Sequence, residues 1–174
     1  MSENLSPWVN LAARVVRVVL ARKDVTYGEL AQRLATYGHS EKEKALASRV
    51  AVGRVRLSML LQILHVVDVE IPSLWNLNFN DAESWETKAQ RVILLEMAQS
   101  PIRDRAEVLS KLVALGAGFS EKTLGERLDG GALFLPVFLR LLFILRSPSL
   151  GMFLDQVDIV TAASADIVVE ESGE

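Results

Sequence analysis

Glu43-Lys-Ala-Leu-Ala-Ser-Arg-Val-Ala-Val-Gly53 and Glu121-Lys-Thr-Leu-Gly-Glu-Arg-Leu-Asp-Gly-Gly131 are two versions of one segment, 78 positions apart. Outward from it, the same offset pairs Glu29, Leu34 and Gly38 with Glu107, Leu112 and Gly116. Further on it pairs Leu57, Leu61 and Leu64 with Leu135, Leu139 and Leu142. Nearer the start the offset is 77, and Trp8, Ala12, Arg14, Val15 and Ala21 fall on Trp85, Ala89, Arg91, Val92 and Ala98. One residue inserted after the first helix joins the two registers. Similarity at a fixed period marks a supersecondary unit used more than once, so one unit is read twice.

Each unit reads as four helices. Leu11, Val15, Val18, Val19 and Arg22 give Trp8 to Arg22 a helical period. Thr26 with Glu29 three residues on has capping-box spacing, and Gly38 suits a left-handed stop. Ser40 before Glu43 is expected to cap a third helix, and Ser58 a fourth, very apolar one. A turn at Pro72–Trp75 closes the unit. The polar run from Asn76 to Ser84 is the one convincing boundary. The expected architecture is all-α: two tandem units of four to five helices packed together, over 1–76 and 85–160. A disordered acidic tail is expected over 161–174.

Composition narrows the function classes. Half the residues are hydrophobic and there is no cysteine, which leaves a core but no disulfide or thiolate metal site. His39 and His65 have no second ligand in view, so no metal or cofactor is expected. No phosphate-binding loop appears, since Gly116-Ala-Gly118 runs into Phe119-Ser-Glu-Lys122, and no nucleophile constellation stands out. An enzyme is not expected. The apolar stretch Leu133–Leu145 is broken by Pro136 and Arg140 and is too short to span a bilayer. With no basic-then-apolar start, the expected location is cytoplasmic. The net charge of −3 conceals an asymmetry. Residues 1–72 carry ten Lys/Arg against seven Asp/Glu, and residues 73–174 carry nine against fifteen. A basic half joined to an acidic half suggests two tasks.

Thr26-x-x-x-Leu30-Ala31-x-x-Leu34, then Arg49-Val-x-x-Gly53-Arg54, then the apolar run from Ser58 to Leu64, resembles the lambda-repressor (Xre-type) helix-turn-helix family. It is also similar to an uncharacterised bacterial family with a longer inter-helix loop. The likeness covers residues 8–75 directly and 85–146 only through the repeat. The span from Gly38 to Gly53 is longer than the family's usual spacing. The resemblance implies a sequence-specific DNA-binding transcriptional regulator, generally a dimer on an inverted repeat with half-sites about 34 Å apart.

A helix entering the major groove needs small or polar side chains toward bases and cations toward phosphates. Lys42, Lys44, Ala45, Ser48 and Arg49 are the candidates on the third helix, with Arg54 and Arg56 as a backbone clamp after it. Thr26 and Tyr27 could offer a hydroxyl and N–H groups to a phosphate. Plainer roles stand beside these. Arg49 and Arg127 match across the units, which suits a structural ion pair with Glu29 or Glu107. Lys42 and Lys44 alternate with Glu41 and Glu43 as on a solvated face. Arg54 and Arg56 could be ordinary loop charges, Tyr27 could simply pack, and Trp8 and Trp85 suit the core.

In the second unit Arg54 and Arg56 become Ala132 and Phe134, Lys42 becomes Ser120, and Ser48 becomes Glu126. Its surplus of apolar residues, Leu133, Phe134, Val137, Phe138 and Leu141 among them, reads as an association surface toward the first unit or another chain. The expected partners are double-stranded DNA and a homodimer or protein partner held by the second unit, with no membrane. The alternative is an adaptor or antitoxin-like interaction module that kept the scaffold and reads no DNA.

Overall fold

Ser6 accepts the Trp8 N–H at 3.2 Å and Pro7 follows with its preset φ, which together start the first helix. The computed structural model describes residues 6–102 and 104–172, with side chains described through Ala165. The order is α1 (Pro7–Arg22), α2 (Tyr27–Ala35), α3 (Glu43–Ala51), α4 (Leu57–Val67) and a 3-10 turn at Ser73–Trp75. There follow α5 (Trp85–Gln99), α6 (Arg105–Ala114), α7 (Glu121–Gly130), α8 (Leu135–Ile144), a 3-10 turn at Ser149–Met152, and α9 (Gln156–Ser172). The protein is all-α. No helix among the described residues is long and apolar enough to cross a membrane.

Five helix starts follow local chemistry. Thr26 accepts from Glu29 N–H at 3.1 Å, Ser84 from Thr87 N–H at 3.1 Å, and Ser120 from Thr123 N–H at 3.2 Å. With Ser6 and Asp104 they satisfy donors that a helix leaves open at its first turn. Gly38 has φ +90°, the expected left-handed stop. Two sequence expectations fail. Ser40 is not the cap of α3; Lys42 occupies that position and makes no side-chain cap bond. Ser58 is not the cap of α4 but is buried one residue into it, behind Arg56 and Leu57.

The reason is a contact between distant segments. Arg56 and Phe134 form an isolated antiparallel bridge. Leu57 N–H donates to Leu133 C=O at 2.9 Å, and Leu135 N–H donates to Val55 C=O at 2.6 Å. Leu57 and Leu135 are the first residues of α4 and α8. Each extended segment therefore satisfies the first N–H of the other's helix and sets where that helix begins, which leaves Ser58 inside α4 rather than ahead of it. The 78-residue offset matches Arg56 with Phe134 and exchanges the two bonds, Leu57 with Leu135 and Val55 with Leu133, so the pairing has a local two-fold character about Arg56 and Phe134.

The packing follows the same exchange. α1 lies against α8, and α5 lies against α4. Trp8 and Trp75 are fully buried, and both halves contribute to one continuous apolar core. Leu133, Val137, Phe138 and Leu141 belong to that core, with Phe134 half-buried beside it. The expected association surface is thus covered within the chain. It cannot join two chains unless α8 leaves α1 and α4, which corrects the between-chain version of that expectation. Arg140, which interrupts the apolar run, is buried and donates to Leu115 C=O at 2.7 Å, where a cation meets the carbonyl end of α6.

Residues 161–172, expected from sequence as a disordered tail, continue α9; residues 173–174 lie outside the described residues. Ile159, Ala162 and Ala163 are buried, and Arg14 on α1 pairs with Asp158 at 2.8 Å. Composition at the acidic end carried no sign of this docking, which depends on an apolar stripe just before it.

Lys88, in the first turn of α5, is buried, pairs with Asp81 of the connector and donates to Glu83 C=O at 3.0 Å. The hydrogen bond from Lys88 holds the Asp81 carboxyl below its ordinary pKa. A carboxyl whose pKa is depressed on folding contributes stability above the ordinary carboxylate range, and that contribution is lost as pH falls through the folded value. Asp81→Asn is therefore expected to lower the urea midpoint at pH 7 and to flatten its fall under acid. Equal midpoint-versus-pH curves for the two proteins would contradict the pairing.

Candidate nucleic-acid interface

α3 buries Leu46 and Val50 and leaves Lys44, Ala45, Ser48, Ala51 and Val52 along its outer side. Three of these are small, which permits close approach of a helix to a flat or grooved surface. After α3 the chain is extended, and the pairing with 133–135 fixes its alternation. Val55 points into the core, while Arg54 and Arg56 are exposed on either side of it.

A cleft of about 640 Å³ runs between α3, the segment 52–56 and the first turns of α4. Of the nine sequence candidates it gathers Ala45, Ser48, Arg49, Arg54 and Arg56. The other four lie outside its walls. Thr26 is exposed, with its hydroxyl already accepting from Glu29 N–H. Tyr27 is half-buried against the core, and that burial raises its phenol pKa, with Arg17 opposing. It stays a neutral phenol through the physiological range. Lys42 and Lys44 are exposed at the opening turn of α3.

Three groups that the sequence reading did not assign to this surface also line the cleft. Glu41 pairs with Arg49, so the partner of Arg49 is Glu41 and not the expected Glu29. The reach across the loop from 41 to 49 depends on a backbone path that helical spacing does not encode. His39 Nε2 lies 3.8 Å from the second Glu41 oxygen, and neither of those atoms has a hydrogen-bond partner among the described residues. Phe134 enters from the other half, with the Arg56 guanidinium 5.5 Å from its ring centre. A cation over a ring keeps its charge available while its plane is held in place.

The matched positions in the second half have different chemistry. Arg127 corresponds to Arg49, and Phe119 to Glu41. Arg127 stacks 4.1 Å from the Phe119 ring centre and 5.9 Å from that of Phe134. The outer side of α7 carries Glu126 and Asp129, and Asp129 pairs with Arg105 at 2.9 Å. Among the described residues, the exposed cations of the bridged segments are Arg54 and Arg56, both from the first half.

Lys42 is a poor choice for a helix cap on stability grounds. A cation there faces the positive end of the helix and leaves the opening N–H groups without a side-chain acceptor. Ser120, at the matched position, makes the bond that Lys42 does not. Lys42→Ser is expected to stabilise the fold by about 1 kcal/mol in urea unfolding; a loss of stability would show that Lys42 has a structural partner.

Residues 8–72 match a family described as a domain of unknown function, DUF6471. That span holds α1 to α4 and ends at Pro72, just before the first 3-10 turn. It therefore contains the cleft residues of the first half, and the bridge partner Phe134 lies outside it. No curated protein and no solved structure matches the chain.

Proposed function

We propose that the protein is a sequence-specific DNA-binding transcriptional regulator of the lambda-repressor-like helix-turn-helix kind. In this reading α1 to α4 face the duplex, and the second half serves as a covalently attached partner. The observation that carries it is the gathering of Arg49, Arg54 and Arg56 with Ala45 and Ser48 beside one small-residue helix face. Arg54 and Arg56 are set to grip phosphates, and Ala45 and Ser48 to sit against base edges. The α7 side, bearing Glu126 and Asp129, would be repelled by a phosphate backbone. One chain then covers one half-site, and an inverted repeat recruits two chains that meet on DNA rather than through residues 133–141.

The test is selection of bound sequences from random duplexes, followed by fluorescence anisotropy across a salt series. A recurring motif is expected. Arg54→Ala with Arg56→Ala is expected to flatten the slope of log affinity against log salt by about two. Absence of a selected motif, or a slope untouched by both changes, would remove this reading.

A second reading, an adaptor or antitoxin-like protein-interaction module, is favoured by the neutralising Arg49–Glu41 pair inside the cleft and by the net charge of −3. It predicts a stoichiometric protein partner whose binding is weakened by the same two Arg changes, and no motif.

A further inference from the structure

His65 on α4 is enclosed by three rings: Tyr37 at 5.1 Å, Phe79 at 5.0 Å and Trp85 at 5.7 Å between centres. Phe79 comes from the connector, which folds back over α4 after the 3-10 turn. The matched residue on α8 is Phe143. Trp8 packs against it at 6.2 Å, as Trp85 does against His65, and Leu115 stands where Tyr37 does. The third ring has no counterpart among the described residues. Beyond the second 3-10 turn the chain enters α9, with Gln156 at the cavity wall and Val157 exposed, and among the described residues no ring other than Trp8 packs against Phe143. In its place is a cavity of about 870 Å³, walled by Phe143, Leu115, Ile144 and Leu154.

The charges around it have a direction. Arg146 lines the cavity, is exposed, and has no side-chain partner among the described residues. Lys111 also lines it and pairs with Glu107 at 3.0 Å on the outer surface. The opposing Asp155 directly precedes α9, where the positive end of a helix offsets a carboxylate. A largely apolar, open-sided cavity of this size with an uncommitted guanidinium in its lining suits a small amphipathic anion.

We infer that the cavity over Phe143 is a binding site for a small aromatic carboxylate, whose ring takes the place that Phe79 fills over His65 and whose carboxylate meets Arg146. The site is remote from α3 and does not depend on what that helix faces.

The probe is 2-naphthoate, titrated into the full chain by calorimetry, with the neutral 2-naphthylmethanol as its isostere. Saturable one-to-one binding of naphthoate is expected, with the alcohol weaker by about fivefold. Arg146→Asn, chosen because position 146 has φ +56° and Asn tolerates that region, should remove the fivefold preference and leave the alcohol unchanged. A Cβ at Gly151 would meet nothing within 4 Å, so Gly151→Trp can fill the cavity from its rim. It should weaken both probes by about tenfold or more while circular dichroism stays native. If that variant does not fold, Ala114→Trp, from an exposed wall position, makes the same test. Absence of saturable binding at millimolar naphthoate overturns the inference, as does binding that ignores both the rim tryptophan and Arg146→Asn.

Discussion

Gly131→Ala is expected to destabilise the protein by about 3 kcal/mol or more, a larger effect than the same change at Gly53 or Gly38. Gly131 has φ +69°, which an L side chain adopts at a cost of about 1–2 kcal/mol. A Cβ there would also sit 2.8 Å from Glu86 O, Gln90 N and Gln90 Cγ. Two of those atoms are α5 backbone, which cannot move without disturbing the packing of α5 on α4. The matched Gly53 supplies an internal comparison. It has φ +74°, but the three atoms nearest its Cβ would be side-chain carbons of Pro136 and Val9, at 3.0–3.2 Å. Gly53→Ala should therefore cost less, about 2 kcal/mol. Gly38, at φ +90° with nothing within 4 Å, isolates the backbone penalty at about 1 kcal/mol. Urea unfolding of the three variants should rank them 131, 53, 38. A Gly131→Ala protein no weaker than Gly38→Ala would mean that α5 does not lie where it is described.

Glu96→Ala is the second large effect, at about 3 kcal/mol. Glu96 is fully buried on α5, and its Oε1 accepts from Trp75 Nε1–H at 3.0 Å and from the Ser149 hydroxyl. Trp75 closes the first 3-10 turn and Ser149 opens the second, so one oxygen fastens both turns to the same helix. Removing it leaves two buried donors unpaired and a cavity where the side chain stood. Glu96→Gln retains an acceptor oxygen and should cost about 1 kcal/mol. The exposed neighbour Leu94, changed to Ala, should be nearly silent. If Glu96→Ala and Glu96→Gln unfold at one midpoint, the shared acceptor does not hold the turns.

Legibility followed the range of the interactions. Thr26, Gly38 and the Trp8-to-Arg22 period were readable because caps, left-handed stops and amphipathic stripes are decided within a few residues. The all-helical class followed from them. The N-termini of α4 and α8 were not readable, because their opening N–H groups are met by carbonyls 76 and 80 positions away, Leu57 to Leu133 and Leu135 to Val55. Ser58 carried the local mark of a cap and lost to that distant contact. At the candidate interface, five residues chosen for type and spacing share one cleft, whereas Thr26, Tyr27, Lys42 and Lys44 lie outside its walls. Glu41 was missed because it arrives through an irregular loop, and Phe134 was read as association surface rather than as a wall of the cleft because it comes from the far half of the chain.

The bridge between Arg56 and Phe134 also bears on what separate chains could do. In a homodimer with the same two-fold axis, residue 56 would confront its own copy, and an arginine there would meet an arginine at close range. Linkage in one polypeptide lifts that self-opposition: one side keeps a guanidinium and the other answers it with a ring. Phe134→Arg restores the confrontation that linkage avoids, so a substitution harmless to either half considered alone should loosen their union.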